Sequence, residues 1–241
     1  MQNNSRHFAA IGVLVVIFTF VVYWVLDVVL LFPEPASVQA GPIDAMIQGH
    51  LWIIAFLFSL VIVIMVYALF LFRRREGDTE EGEYFHGNTT LEILWTVLPM
   101  IVVIAFGYWA TVSLSEITQR QDNEVIVNAE GFQWGWNFSL PNSDTITQEL
   151  VLPVDTPIRM DMTSKDVLHN FWVPEFRVKQ DIVPGRTTYL RFTPTIEGEY
   201  TLICSELCGL NHTGMIANVR VVSKTEFATF WNQDVQTASS K

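Results

Sequence analysis

The run from Cys204 to Met215, CSELCGLNHTGM, places Cys204, Glu206, Cys208, His212 and Met215 within twelve residues, and His169 stands upstream in DVLHNFWVPEF. Thiolate, imidazole and thioether are therefore offered together. Soft sulfur with imidazole selects copper or zinc, but a thioether adds little for zinc and is typical of copper electron-transfer sites in β-sandwich proteins. Copper is the better match. A mononuclear blue-copper site uses one thiolate, two imidazoles and a weak axial sulfur, so the second cysteine is surplus to that design. Two thiolates can instead bridge two copper ions and spread one unpaired electron over both, which keeps the geometry nearly constant as the electron comes and goes. Taken as a bare pair, Cys204 and Cys208 could also be small buried residues or a disulfide, although so short a loop stabilises little. His169 by itself reads as a satisfied structural histidine.

The elements around these residues are β-rich. From about residue 122 the chain runs through EVIVNAEGF (124–132), TPIRMDMTS (156–164), RTTYLRFTP (186–194), GEYTLIC (198–204) and IANVRVV (216–222). Leu140-Pro141-Asn142, Pro153, Pro184-Gly185 and Glu197-Gly198 punctuate them as turns, spaced as in a small sandwich or barrel. The metal run leads directly from GEYTLIC into IANVRVV, so a hairpin end grips the metal against an upstream histidine. Gly209 and Gly214 supply the backbone bends there. The polar tail after Trp231 reads as frayed.

The amino-terminal half belongs to a bilayer. Residues 8–32 hold one charge, Asp27, residues 47–72 hold none, and residues 91–114 carry Glu92 near their first turn and Pro99 as a kink point. Each run is long enough to span hydrocarbon. Arg6 precedes the first span and Arg73, Arg74 and Arg75 follow the second, while residues 33–46 contain no base. The excess of cytoplasmic bases then places the amino terminus and the 73–90 loop inside and everything after about residue 115 outside. Val38-Gln39-Ala40 also resembles a signal-peptidase site, but the apolar run before it is longer than a usual signal core.

Half of the 241 residues are apolar, and 25 acids face 14 bases for a formal charge of -11. That balance argues against a nucleic-acid partner and suits a basic protein partner or plain solubility. No Cys-x-x-Cys-His signature is present, so no attached haem c is expected.

The motif CSELCGLNHTGM, with DVLH before it and EGFQWGWNF earlier, resembles subunit II of the haem-copper oxidases that accept electrons from cytochrome c, over roughly residues 45–222. That resemblance implies a membrane α plus all-β fold: three transmembrane helices followed by a cupredoxin-like β-sandwich. It implies a dinuclear copper centre, CuA, with Cys204 and Cys208 bridging. His169 and Met215 would complete one copper, and His212 with the carbonyl of Glu206 the other. The Glu206 carboxylate would touch a magnesium ion shared with the catalytic subunit I. Trp134, in GFQWGW, would receive the electron from a cytochrome c or a small blue-copper donor. Glu92, in LEILWTVLP, would stand at the mouth of a proton path. Read structurally, Trp134 and Trp136 equally suit a core, and Glu92 a favourable helix dipole.

The expected organisation is residues 1–46 as a first span and external loop, 47–115 as a helical hairpin and 116–241 as the exported copper domain. The setting is a bacterial cell membrane, with oxidase subunit I and the other oxidase subunits as partners. Some positions depart from the family pattern: the first span is extra, Gly135 stands where an aromatic is frequent, and Lys165 replaces a common acid. Two other readings stay open, a quinol-oxidase subunit and a membrane-tethered copper carrier. The complete ligand set counts against the former, and the Glu92 region against the latter.

Overall fold

The computed structural model describes residues 4–77, 79, 84, 86–141 and 143–238. Two compact units emerge, residues 1–32 with 45–110 and residues 33–44 with 111–241.

The first unit is helical. Its elements are α1 (Asn4–Val29), α2 (Ala40–Leu71) and α3 (Thr89–Ile117), each long and apolar enough to cross a membrane. In hydrocarbon a helix satisfies its own backbone, so the apolar side chains can all face outward, as Leu69, Phe70 and Val103 do. Two polar pairs link α1 to α2. Tyr23 of α1 donates to Gln48 Oε1 of α2 at 2.5 Å and stacks on Trp52 with centroids 3.9 Å apart. His7 Nδ1 meets the Tyr67 hydroxyl at 2.8 Å.

Helix α2 starts at Ala40, earlier than its apolar run, because Pro42 is tolerated in a first turn whose N–H groups need no intrahelical partner. At α3, Asn88 Oδ1 accepts from the N–H groups of Thr90 and Leu91 and caps the helix. The helix continues through Pro99.

The second unit is a β-sandwich. Its strands are β1 (Val125–Phe132), β2 (Gly135–Ser139), β3 (Leu150–Pro153), β4 (Ile158–Ser164), β5 (His169–Trp172), β6 (Lys179–Ile182), β7 (Thr188–Phe192), β8 (Gly198–Cys204) and β9 (Ile216–Val222), with α4 (Lys224–Ala238) after them. One sheet has the order β2-β1-β4-β7 and the other β3-β9-β8-β5-β6. Pairings β1/β4 and β3/β9 are parallel and the others antiparallel.

Alternation along β1, β4 and β9 sends Val127, Ala129, Ile158, Met160, Met162, Val219 and Val221 inward. Trp136, Phe138, Phe171, Phe176 and Phe192 fill the space between the sheets. The tail expected to fray after Trp231 instead continues α4 to Ala238, and the Trp231 ring is buried in the sandwich core. Of the expected turn at Leu140-Pro141-Asn142, Asn142 lies outside the described residues.

Residues 33–44 form a strap on this unit. Ala36 N donates to Glu175 O, Val38 N to Thr193 O and Thr195 N to Ala36 O. Arg177 Nε reaches Asp44 Oδ1 at 2.7 Å. The signal-peptidase-like residues Gln39 and Ala40 are buried beneath these contacts.

Candidate metal centre

Strand β8 ends at Cys204 and β9 opens just after Met215, and the hairpin closes through Cys204 N donating to Met215 O at 3.1 Å. Cys204 pairs in register with Phe171 of β5, and His169 lies two residues back on the same face of that strand. Register alone therefore carries the histidine to the loop. Ser205 fastens the loop to β5, its hydroxyl donating to Asn170 Oδ1 at 2.6 Å, while Asn170 Nδ2 donates to Asp181 Oδ1.

The two cysteines are free, buried and 3.8 Å apart, sulfur to sulfur. Cys204 Sγ stands 3.9 Å from His169 Nδ1 and 3.3 Å from the Glu206 carbonyl oxygen. Cys208 Sγ stands 3.5 Å from His212 Nδ1 and 3.7 Å from Met215 Sδ. The sulfurs thus occupy the middle of the cluster, with a nitrogen beside each. Among the described residues, His169, Cys204 and Cys208 form the group arranged for a metal, with ligand atoms within 4.8 Å of one another.

The electrostatics favour a protonated Cys208 thiol in the metal-free protein. Burial, and then the neighbouring Cys204 thiol, push the Cys208 thiol up to about 11. Asp166 behaves oppositely: burial raises its carboxyl, but hydrogen bonds from His169 and from the Gln133 and Val167 amides outweigh this and hold it below the usual range.

Trp134 lies in the turn between β1 and β2 and is 37% exposed. Its ring rests on Gly209, whose φ of +122° belongs to glycine and whose missing Cβ would fall 3.2 Å from the indole. Gln133 Nε2 donates to Cys208 O at 2.7 Å, which ties the turn to the cysteine loop. Trp136, by contrast, is a core residue, packed against His169 and Phe171.

Glu206 is half-buried on the cysteine loop, whereas Glu92 belongs to the helical unit, exposed in the first turn of α3. His50 Nδ1 is occupied by the Met46 carbonyl, at 2.7 Å.

Sequence reasoning missed Asp166 and Gln133. Asp166 was detectable as a carboxylate three residues before a candidate ligand, whereas nothing in the local pattern marks Gln133.

Comparison with known proteins places both halves. Residues 25–114 match the family "Cytochrome C oxidase subunit II, transmembrane domain" and residues 144–222 the family "Cytochrome C oxidase subunit II, periplasmic domain". Cytochrome c oxidase subunit 2 of Synechocystis sp. is 32% identical over 232 residues, covering 77% of this chain and 70% of the relative. The alternative cytochrome c oxidase subunit 2 of Bradyrhizobium diazoefficiens is 31% identical, covering 83% and 82%. The solved periplasmic domain of cytochrome oxidase subunit II from Bradyrhizobium japonicum is 32% identical over 51% of this chain and 98% of that one, with a TM-score of 0.44.

Proposed function

The chain belongs to the cytochrome c oxidase subunit II family, and from that premise we propose that its β-sandwich is the electron-accepting module of such an oxidase. In this reading His169, Cys204, Cys208, His212, Met215 and the backbone carbonyl of Glu206 hold a dinuclear copper centre. A cytochrome c or a small blue-copper protein delivers electrons at Trp134, and their destination is haem in subunit I, where oxygen is reduced and protons are pumped.

The observation that carries the reading is a pair of unlinked buried thiols 3.8 Å apart, flanked at 3.5 to 3.9 Å by two imidazole nitrogens and a thioether. That donor set fits copper, since a thioether is a poor zinc ligand and the second thiolate exceeds the need of a single blue copper. When bound there, a copper pair would supply a one-electron store that changes shape little between redox states.

The protein's own residues do the preparing. Cys204 and Cys208 give up their protons to become ligands. Trp136 and Phe171 wall the pocket and keep water from it. The Cys204–Met215 backbone bond holds the hairpin ends at fixed separation. Trp134, resting on Gly209, presents an aromatic face one residue from Cys208.

The wider reading follows the same family. Residues 1–46 and 47–115 anchor the protein in a bacterial cell membrane with the amino terminus cytoplasmic, and residues 116–241 work on the opposite side. The Glu206 carboxylate would share a magnesium ion with subunit I, and Glu92 would collect protons at the mouth of a path into it.

Copper analysis with electron spin resonance on the purified full-length protein tests the centre. Two coppers per chain, with hyperfine structure from one electron shared by two nuclei, are expected. Either Cys204→Ser or Cys208→Ser should abolish that pattern. A single-copper spectrum, or no retained copper, sinks the reading.

A further inference from the structure

We propose that Asp166 is the positioning residue of the centre, holding His169 in the tautomer that turns Nδ1 toward the thiols and fastening the Gln133–Trp134 turn to the same histidine. The inference rests on the copper reading above for its functional meaning, but its geometry stands independently.

His169 is fully buried, so both ring nitrogens must find partners inside the protein. Nε2 lies 2.8 Å from Asp166 Oδ1, and Nδ1 lies 3.9 Å from Cys204 Sγ. A neutral imidazole has one donor and one acceptor nitrogen, and an ionised carboxylate can only accept. The ring hydrogen therefore sits on Nε2. Nδ1 is left with its lone pair facing the sulfur cluster, as a metal ligand requires. Gly131 of β1 makes room for the ring, since a Cβ there would come within 3.2 Å of it.

The same carboxylate reaches further. Asp166 Oδ2 accepts from Gln133 N at 2.7 Å, and Oδ1 accepts also from Val167 N at 2.7 Å. Gln133 in turn donates through its side chain to Cys208 O. Asp166 thus joins the His169 ring, the turn bearing Trp134 and, through Gln133, the cysteine loop. A plain turn-capping aspartate would explain the Val167 bond alone. It would leave the contacts to His169 and Gln133 without a purpose. Asparagine fills the same space but has a single acceptor oxygen, so it cannot serve His169 and Gln133 from two separate oxygens.

The test uses the full-length protein in detergent. In the metal-free wild type, ¹⁵N shifts of labelled histidine, assigned by the signal lost in His169→Gln, should report His169 as the Nε2–H tautomer. Asp166→Asn should give mixed tautomers. After loading, it should surrender copper at chelator concentrations on the order of 10- to 100-fold lower than the wild type, with an upward move of the midpoint potential. Asp166→Glu should restore the potential better than Asp166→Asn, because it keeps the charge.

A wild-type Nδ1–H tautomer overturns the proposal without any variant. Wild-type tautomer, copper retention and potential in Asp166→Asn reduce Asp166 to a turn residue and overturn it as well. Failure of the wild type to bind copper would sink the copper reading, and the metal-free tautomer would still decide the role of Asp166.

Discussion

The Trp134 indole lies on Gly209 so closely that a Cβ there would stand 3.2 Å from the ring and 2.9 Å from Gln133 Nε2. Gly209 also holds a φ of +122°, where a side chain is strained whatever the space around it. These two demands meet next to Cys208. Gly209→Ala should cost about 1–3 kcal/mol from backbone strain and lift Trp134 off the cysteine loop. Thermal unfolding would show the first effect, and slower reduction by the native donor with copper content retained would show the second. A variant with wild-type stability and reduction rate would remove the contact from the mechanism.

Trp134 itself tests where electrons are accepted. It is partly exposed, whereas Trp136 two residues on is sealed in the core, so the two rings should respond oppositely to truncation. Trp134→Phe should slow reduction by the donor at least about tenfold, the scale of an interface anchor worth ~1.4 kcal/mol, with stability unchanged. Trp136→Phe should instead lower the unfolding temperature, because it leaves a void beside His169 and Phe171. Stopped-flow reduction and calorimetry separate the two, and a Trp134→Phe protein that accepts electrons at the wild-type rate makes Trp134 structural.

The Cys208 thiol gives a pH dependence with a definite sign. Burial and then Cys204 raise it to about 11 in the folded metal-free protein, against roughly 8.5 for a free thiol in the unfolded chain. The folded state therefore holds the proton more tightly. Its contribution to stability is complete below the unfolded value and is lost as pH rises from there toward 11. Metal-free protein should unfold at falling temperature from about pH 8.5 upward. Cys208→Ser should flatten the part of the decline due to this thiol. Identical slopes for the two proteins would show that Cys208 is not the group responsible. Loading copper at neutral pH should release protons, measurable in weak buffer, because ligation needs the thiolate.

How much could be read before the fold was known follows from what each feature demands of composition. The spans declare themselves because hydrocarbon tolerates so little else over a whole helix. Cys204, Cys208, His212 and Met215 stand out because thiol, imidazole and thioether side chains are rare at such close spacing. Strand β5, His-Asn-Phe-Trp, shows no alternation since three of its four residues are buried, so periodicity does not mark it although it carries His169. Asp166 and Gln133 are 33 residues apart and meet only when two turns fold together, so no spacing rule reveals their contact. The strap escapes for a similar reason: Ser37 bonds to Phe176, 139 residues away.

Glu92 calls for a test that separates a proton role from a merely structural one. The helix start is already capped by Asn88, whose side chain takes the Thr90 and Leu91 amides, so Glu92 is not needed to satisfy those groups. Its remaining structural contribution is charge near the helix dipole, worth about 0.3–1 kcal/mol at an exposed site. Glu92→Gln should therefore leave the helix formed and copper reduction by the donor unchanged. Oxygen consumption by the assembled oxidase should nonetheless fall several-fold, and most steeply at high pH, where protons are scarce and a collecting carboxylate matters most. Turnover matching the wild type across the working pH range would return Glu92 to the role of a helix-end charge.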